Sequence, residues 1–443
     1  MTSRYVEIRP DNVPSDGKVS FKNGFPVLSF TVSAQEGLLD PSSIRIVGNL
    51  NLYSDNNYPT PTPCQAGDNL TMNNRLGIYN IFDSLTIRSA RSKMICEQIR
   101  HYQKWMNTYT ALTSSRGDQM SHLGETCLIY PNAETFRRAV CQNNASGLET
   151  TSFSAHLPCG FCQSGNLVDL REGAFGGVQV EIMLMPDANC LFYENGTVAA
   201  GKGEAHYQLK DLKLCCEVKN LPPDMANANP QGSFVFNTIT SLYTSINSTN
   251  AQIQYSLALR NLQSAFMTFM PVSNINTLTA DGSATTYPSN ASANASGGVL
   301  APIRRVQFLK GGVKHPAEFD YVNSIINAST NLPDPQIVKG LYDAIVPDYH
   351  QVRTTISPVN MRRDYKMGTL NEETAYNKVA LGGAVMGLGV KYGIGDAGED
   401  FSSQQFGVSI ESDLTTNNPM GVYLFFKAKA TLLYDGMGLQ LIQ

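Results

Sequence analysis

Along most of this chain hydrophobic residues recur with period two, the spacing that turns one face of a β-strand inward. Leu28, Phe30 and Val32 share a face within residues 19–32. After a turn predicted at 37–41, Ile44, Ile46, Leu50 and Leu52 alternate with Arg45, Val47, Asn49 and Asn51. Further strands are predicted at 153–157, 166–170, 178–184 (which Pro186 ends) and 207–218. In the last of these Leu212, Leu214, Cys216 and Val218 face one way. The pattern resumes at 234–236, continues through Ile253, Tyr255, Leu257 and Leu259, and returns at 304–309 and 406–410. It closes on Val422, Leu424, Phe426, Ala428, Ala430 and Leu432. Such alternation marks antiparallel sheets with one wetter face.

One stretch, residues 74–112, breaks the pattern. A strand is predicted at 77–87, with Tyr79, Ile81, Leu85 and Ile87 on one face and Asp83 interrupting it. After a polar turn at 88–93 the period changes: Ile95, Ile99, Tyr102, Met106 and Tyr109 are spaced to line one side of an α-helix. Ser92 is its predicted cap, and Glu97, Arg100 and Lys104 its solvent side. On that reading Ile99→Ala costs about 2–5 kcal/mol, and replacing Lys104 costs within about 0.5 kcal/mol.

With 443 residues the chain is long enough for two domains of roughly 200 residues each. Two observations place the boundary. The run Leu221-Pro222-Pro223 through Pro230-Gln231-Gly232 has no periodicity and reads as a linker. All nine cysteines, Cys64, Cys96, Cys127, Cys141, Cys159, Cys162, Cys190, Cys215 and Cys216, precede it. The expected domains are 1–222 and 223–443. Each opens with strands, carries a long insertion with helical pieces and ends on a long strand. Loops are expected at 55–74, at 117–152 (with a helix at 133–141), at about 273–301 and at about 311–400. The last includes helical pieces at 319–326 and 334–345, where Asp334 and Pro335 make a helix start.

Charged residues are only 16% of the chain, below the ~25% of an average soluble domain, which suits surfaces covered by neighbours. The net charge is −4 with no basic cluster, so counterion-release binding to nucleic acid is not expected. No window approaches the ~18 apolar residues of a membrane span, and no signal-peptide layout opens the chain. The Asn-x-Ser/Thr triplets at Asn69, Asn144, Asn195, Asn247, Asn290, Asn294 and Asn327 therefore read as incidental. An odd cysteine count without a secretory route points to free thiols.

Candidate chemistry is sparse. Residues 196–203, Gly-Thr-Val-Ala-Ala-Gly-Lys-Gly, have the spacing of a phosphate-binding loop as far as Lys202. Gly203 stands where Ser or Thr must hold magnesium, and a strand follows instead of a helix. Cys159-Gly160-Phe161-Cys162 is half a zinc site or a redox pair, but no second such pair exists; buried small hydrophobes are the better reading. His101, His122, His156, His206, His315 and His350 are scattered singly, and no Ser lies in a nucleophile elbow. The Gly-rich segment 382–395 lacks a dinucleotide fingerprint, and Arg304-Arg305 and Arg362-Arg363 are short pairs suited to carboxylate partners. No catalytic, cofactor-binding or metal-binding residue is assigned, and no cofactor is expected.

The order Asn80, Asp83-Ser84, Ile95-Cys96-Glu97-Gln98-Ile99, Tyr102 resembles a segment of double jelly-roll major capsid proteins, those of virophages and polinton-like viruses above all. His156-Leu157-Pro158, residues 167–170, Gly176-Gly177 and residues 178–184 ending at Pro186 resemble the late strands of that family's first jelly roll, and 207–218 its closing strand. Val306-Gln307-Phe308 and 421–433 sit where its second half would place them. The likeness is strongest over 74–218 and thin over 277–300. It departs at Val168-Asp169-Leu170, where the family has an apolar-Pro-apolar triplet.

The resemblance implies a mainly β fold of two consecutive eight-stranded jelly-roll sandwiches with short helices in the inserted loops. It implies a non-enzymatic structural subunit that forms homotrimers of pseudo-hexameric outline. These would tile the icosahedral shell of a double-stranded DNA virus, together with neighbouring capsomers and penton, minor capsid or cement proteins. The expected location is the virion capsid, assembled inside the host cell and not secreted. Two other readings stand beside it. A viral spike or other carbohydrate- or receptor-binding β-sandwich would show exposed aromatic clusters, whereas the single Trp, Trp105, lies in the predicted helix. A β-rich glycoside hydrolase would need a carboxylate pair that nothing in the sequence marks.

Overall fold

The computed structural model describes residues 2–14, 16–22, 24, 26–55, 62–114, 118, 121–130, 133–145, 151–193, 204–278, 282, 303–316, 321–322, 335–345, 387–393, 397–412 and 419–443. The first half contains β1 (Ser3–Ile8), β2 (Lys18–Val19), β3 (Val27–Val32), β4 (Gly37–Tyr53), β5 (Leu70–Met72), β6 (Phe82–Ser89), β7 (Ile95–Ile99), β8 (Thr151–His156), β9 (Val168–Asp169), β10 (Val178–Leu184), β11 (Leu191–Tyr193) and β12 (His206–Asn220). One sheet runs β1-β12-β4-β8, with β2 added on β12 and β9 on β4. It faces a second, β3-β10-β6-β7, while β11 and β5 form a small ribbon. Period-two burial makes the core: Leu28, Phe30 and Val32 of β3 and their cross-strand partners Ile182, Val180 and Val178 of β10 are essentially solvent-free and belong to one apolar cluster with Ile46 of β4 and Leu214 of β12.

The second half contains β13 (Gly232–Ile246), β14 (Asn250–Tyr255), β15 (Leu262–Pro271), β16 (Ile303–Lys310), β17 (Val313–Lys314), β18 (Tyr321–Val322), β19 (Gly387–Lys391), β20 (Phe406–Ser412), β21 (Met420–Tyr434) and β22 (Leu439–Ile442). Here β13-β21-β15-β19, extended by β22, packs on β14-β20-β16-β17, extended by β18. Among the described residues every strand pairing is antiparallel, and the chain is a mainly β protein of two sandwiches.

From Met420 to Ala428 β21 is dry on both faces. Val422, Leu424, Phe426 and Ala428 enter the second core, whereas Tyr423 and Phe425 point the other way and join the core of the first sandwich. The helix Tyr102–Thr113 lies against that outer face of the second sandwich, with Trp105 packed on Phe266 and Phe425.

Several expectations for 74–112 are overturned. Gly77–Ile81 is a 3-10 helix, and only Phe82–Ser89 is strand. Ile95–Ile99 is a strand paired with β6, not the first turns of the helix. Ser92 caps nothing; it sits in the β6–β7 turn, where its N–H is donated to Ser89 Oγ. The helix starts after His101, whose left-handed φ of 56° turns the chain out of β7. Nor do its residues Tyr102 to Thr110 have a solvent side. Tyr102 to Thr110 are all buried, Lys104 being 4% exposed, and Glu97 in β7 is 3% exposed. A helix this polar stays dry because its hydroxyls turn back on its own backbone: Thr108 Oγ1 donates to Lys104 O, Thr110 Oγ1 to Met106 O and Thr113 Oγ1 to Tyr109 O.

Elsewhere, residues 37–41 are the start of β4, not a turn. The loop expected at 55–74 contains β5, and 117–152 contains helices at His122–Cys127 and Ala133–Ala145. Tyr321 and Val322 are strand where a helix was expected, while the helix Pro335–Ile345 stands where Asp334-Pro335 placed it. Segment 311–400 also carries β17 and β19. Most of the loop expected at 273–301 lies outside the described residues.

Candidate functional site

The two sandwiches meet along the free edge of β13. Among the described residues β13 pairs in its sheet only with β21, so a row of its backbone groups faces the first half. Unpaired strand edges need covering, and four groups from the first half cover this one. The Glu97 carboxylate accepts the Ile239 N–H at 2.8 Å through Oε1, which also accepts Gly160 N–H at 3.1 Å; Oε2 accepts Phe161 N–H at 2.7 Å. Asn166 Nδ2 donates to Val235 O at 2.8 Å, and Ser241 Oγ reaches back to Arg100 O at 2.6 Å. Gly160 lies so close that a Cβ there would fall 1.6 Å from Asn237 O.

Aromatic rings fill the space behind this edge. Phe161 lies 4.8 Å from Phe234 and 5.8 Å from Phe236, and Phe175 lies 5.8 Å from Phe234. In the middle, Trp105 is 5.6 Å from Phe266 and donates its Nε1–H to Pro158 O at 3.2 Å. At the far end the His101 ring lies 5.0 Å from Tyr423 and 5.6 Å from Tyr243. Burying one large apolar side chain contributes about 1.5–3 kcal/mol, against about 0.5–1.5 net for a hydrogen bond. The rings thus hold the halves together, and the polar bonds set their register.

Beyond His101 a cavity of about 300 Å³ is lined by Asp83, His101, Gln103, Lys104, Met270 and Tyr423, among others. The Lys104 ammonium reaches Gly282 O and Met270 Sδ. Gln103 Nε2 donates to Asn80 O at 2.8 Å and Asn189 O at 3.2 Å. Burial shifts the ionisable groups here. It pushes the Glu97 carboxyl up to about 7, against its N–H donors, which favour the ionised form. Burial, with the Lys104 and Arg100 charges, pushes His101 down to about 4. Burial also raises Asp83, with Lys104 opposing.

The sequence candidates do not converge. Cys159 and Cys162 lie in the turn that presents Gly160 and Phe161 to the seam, both buried thiols. His206 stacks on Tyr53 at 5.0 Å, His315 Nε2 bonds Glu399 Oε2 at 2.6 Å, and His122 opens a short helix. Arg305 lies in β16 and 387–391 of the Gly-rich segment form β19. Residues 196–203, His350 and Arg362-Arg363 lie outside the described residues. Among the described residues no three His, Cys, Asp or Glu side chains gather as a metal would need, and no helix is long and apolar enough to cross a membrane. Gly160 and Phe161 were read only as the spacers of the Cys159–Cys162 pair, not as seam residues. Glu97 was read as solvent-facing; its place among aliphatic residues in Ile95-Cys96-Glu97-Gln98-Ile99 was the available signal.

Solved structures share this architecture. The chain superposes on a subunit of the PBCV-1 virus capsid with a TM-score of 0.52 at 11% identity, covering 100% of this chain and 96% of that one. Against the Faustovirus major capsid protein the TM-score is 0.55 at 9% identity, covering 98% and 90%. Against a chain of the Sputnik virophage it is 0.53 at 9% identity, covering 100% and 88%. The fold is the double jelly roll of viral capsid proteins. No family model matches the sequence, and no curated protein sequence does. The double jelly roll is therefore carried by pattern and packing at about a tenth of identical positions. In this double jelly roll the seam makes two sandwiches one continuous body, since a single apolar cluster runs from Phe30 through Trp105 to Phe425.

Proposed function

We propose that this chain is a major capsid protein, a structural and non-catalytic subunit whose trimers, pseudo-hexameric in outline, tile an icosahedral viral shell. The observation that carries the reading is the full-length likeness to viral capsid proteins at both sandwiches. The seam supports it: Glu97, Gly160, Phe161 and Trp105 hold the sandwiches side by side, and a trimer of such pairs presents six similar lateral faces. The division into units 1–222 and 223–443 belongs to this reading, as do neighbouring capsomers and penton or cement proteins as partners. So do its location in the virion and its assembly inside the host cell.

Electron microscopy of the purified chain at assembly concentrations tests this. Trimers of hexagonal outline or closed shells are the expected result. A monomer that persists by light scattering at those concentrations overturns it.

A further inference from the structure

Two thiols from distant parts of the first sandwich touch. Cys64 Sγ lies 3.3 Å from Cys141 Sγ, across 77 residues of chain, and both side chains are fully buried. Each is fixed by its own element. Cys64 follows the bridge between Tyr53 and Pro63, and its N–H is donated to Leu52 O at 2.9 Å, which ties it to the end of β4. Cys141 sits on the helix Ala133–Ala145, beside buried Phe136 and Val140, with its Sγ 3.8 Å from Leu70 O of β5. That helix is otherwise held to the strand layer by side chains such as Arg137, which donates to Asn69 Oδ1 at 2.9 Å.

We propose that Cys64 and Cys141 form an oxidation site: a dithiol held ready to close into a disulfide that locks the inserted helix Ala133–Ala145 onto the end of β4. A disulfide needs its sulfurs about 2.05 Å apart, so each must move only about 0.6 Å from its place here. The bond would join two elements that are separate in the fold. The neighbouring pair Cys159 and Cys162 differs, since its members share one turn and a bond there would tie that turn to itself. Constraining a long loop also removes the most freedom from the unfolded chain.

The oxidant is a small peroxide, hydrogen peroxide. One thiolate attacks a peroxide oxygen, the O–O bond breaks, and the released hydroxide becomes water on taking a proton. The sulfenic acid so formed is attacked by the second thiol; the S–S bond forms as the sulfenic oxygen leaves, with that thiol's proton, as a second water. Two thiols and one peroxide thus give one disulfide and two waters. The bond would form within a single chain, independently of shell assembly.

The test is treatment of the folded full-length chain with hydrogen peroxide, followed by blocking of remaining thiols, non-reducing peptide mapping and a thermal melt. The expected result is a Cys64–Cys141 linked peptide, a fall in titratable thiols from nine to seven, and a higher Tm that a thiol reductant reverses. Cys64→Ala and Cys141→Ala, each still folded by circular dichroism, should show neither the linked peptide nor the rise. A linked peptide found only after denaturation, or oxidation at Cys159 and Cys162 alone, overturns the assignment. A linked peptide with an unchanged Tm overturns the locking role.

Discussion

Arg171 and Asp169 form a buried ion pair, 2.7 Å between Nη2 and Oδ2, with the Arg171 Nε a further 3.1 Å from each carboxylate oxygen. Arg171 Nη1 then donates to Met225 O at 2.7 Å and Ala228 O at 2.8 Å, both in the connection between the sandwiches. Asp169 is the residue at which the sequence departs from the apolar-Pro-apolar triplet of the family it resembles. The carboxylate that breaks the triplet orients the guanidinium that clamps the linker.

Arg171→Ala leaves a buried carboxylate without its partner and two carbonyls without a donor. The expected cost is about 3–5 kcal/mol, the range for breaking a buried ion pair from one side, read by denaturant unfolding. A loss below about 1 kcal/mol would mean that the linker is held by packing alone, since hydrogen bonds from a charged group contribute about 1.5–3 kcal/mol each.

At the seam, Gly160→Ala places a methyl group where the Asn237 carbonyl already stands. Backbone cannot yield as a flexible side chain can, so the first sandwich must retreat from β13. The expected outcome is uncoupling: a single transition for the native chain and two for the variant by calorimetry. One transition at an unchanged Tm would show that the Gly160 contact does not join the halves.

How much of this was legible beforehand follows from which faces are wet. Val178–Leu184 alternates buried and half-exposed along its length, and its strand was read at its true bounds. Residues 95–109 were misread because the steps from Ile95 to Ile99 to Tyr102 fit a helix, whereas an irregularity in the β6–β7 pairing sets exposed Ile95 opposite Arg88 and buried Ile99 opposite Leu85, and the true helix begins only at Tyr102. The 3-10 turn at Gly77–Ile81 is buried on every side, so no period marks it. Lys104 and Glu97 were placed in solvent because polarity was taken for exposure; only tertiary contacts from Gly282, Met270 and Ile239 show otherwise. The double jelly roll was legible as two β-rich halves with a proline-rich joint, whereas the seam depends on pairings between residues more than a hundred positions apart.

Lys104 carries the sharpest reversal. Read as a solvent-facing residue, it would tolerate replacement; buried against Gly282 O, with its ammonium 5.6 Å over the Tyr423 ring, it should not. Lys104→Ala strands the Gly282 carbonyl and hollows the helix packing, at an expected cost of about 1–3 kcal/mol for the unmet carbonyl alone. Chemical unfolding of the monomeric chain measures it, and a loss within about 0.5 kcal/mol, the usual surface value, would return Lys104 to solvent.

Ile99→Ala should still cost about 2–5 kcal/mol, for a different reason than helix bracing. Ile99 is a wholly buried strand residue opposite Leu85, at the point where β7 hands the chain to the helix. An unchanged Tm would place the load elsewhere in the sheet.

The pH dependence of stability should carry the signature of Glu97. Its folded carboxyl titrates at about 7 against 4.5 for an unperturbed one, so between those values the folded state holds more protons than the unfolded chain. Its contribution is complete below about pH 4.5 and is lost as pH rises through about 7, a swing of about 3 kcal/mol. Asp187, raised by burial to about 6, has the same sign. His101 has the opposite one: held down at about 4 from 6.5, it contributes fully above pH 6.5 and loses that contribution as pH falls through about 4. Glu97→Gln removes the first effect and leaves the other two. It also turns an amide NH₂ toward N–H donors at Gly160, Phe161 or Ile239, so the variant should be less stable at every pH. The stability of the native chain relative to Glu97→Gln should therefore shrink as pH rises from 4.5 to 7. A difference that stays flat across that window in urea titrations would mean that Glu97 is ionised throughout and binds β13 as a carboxylate at every pH tested.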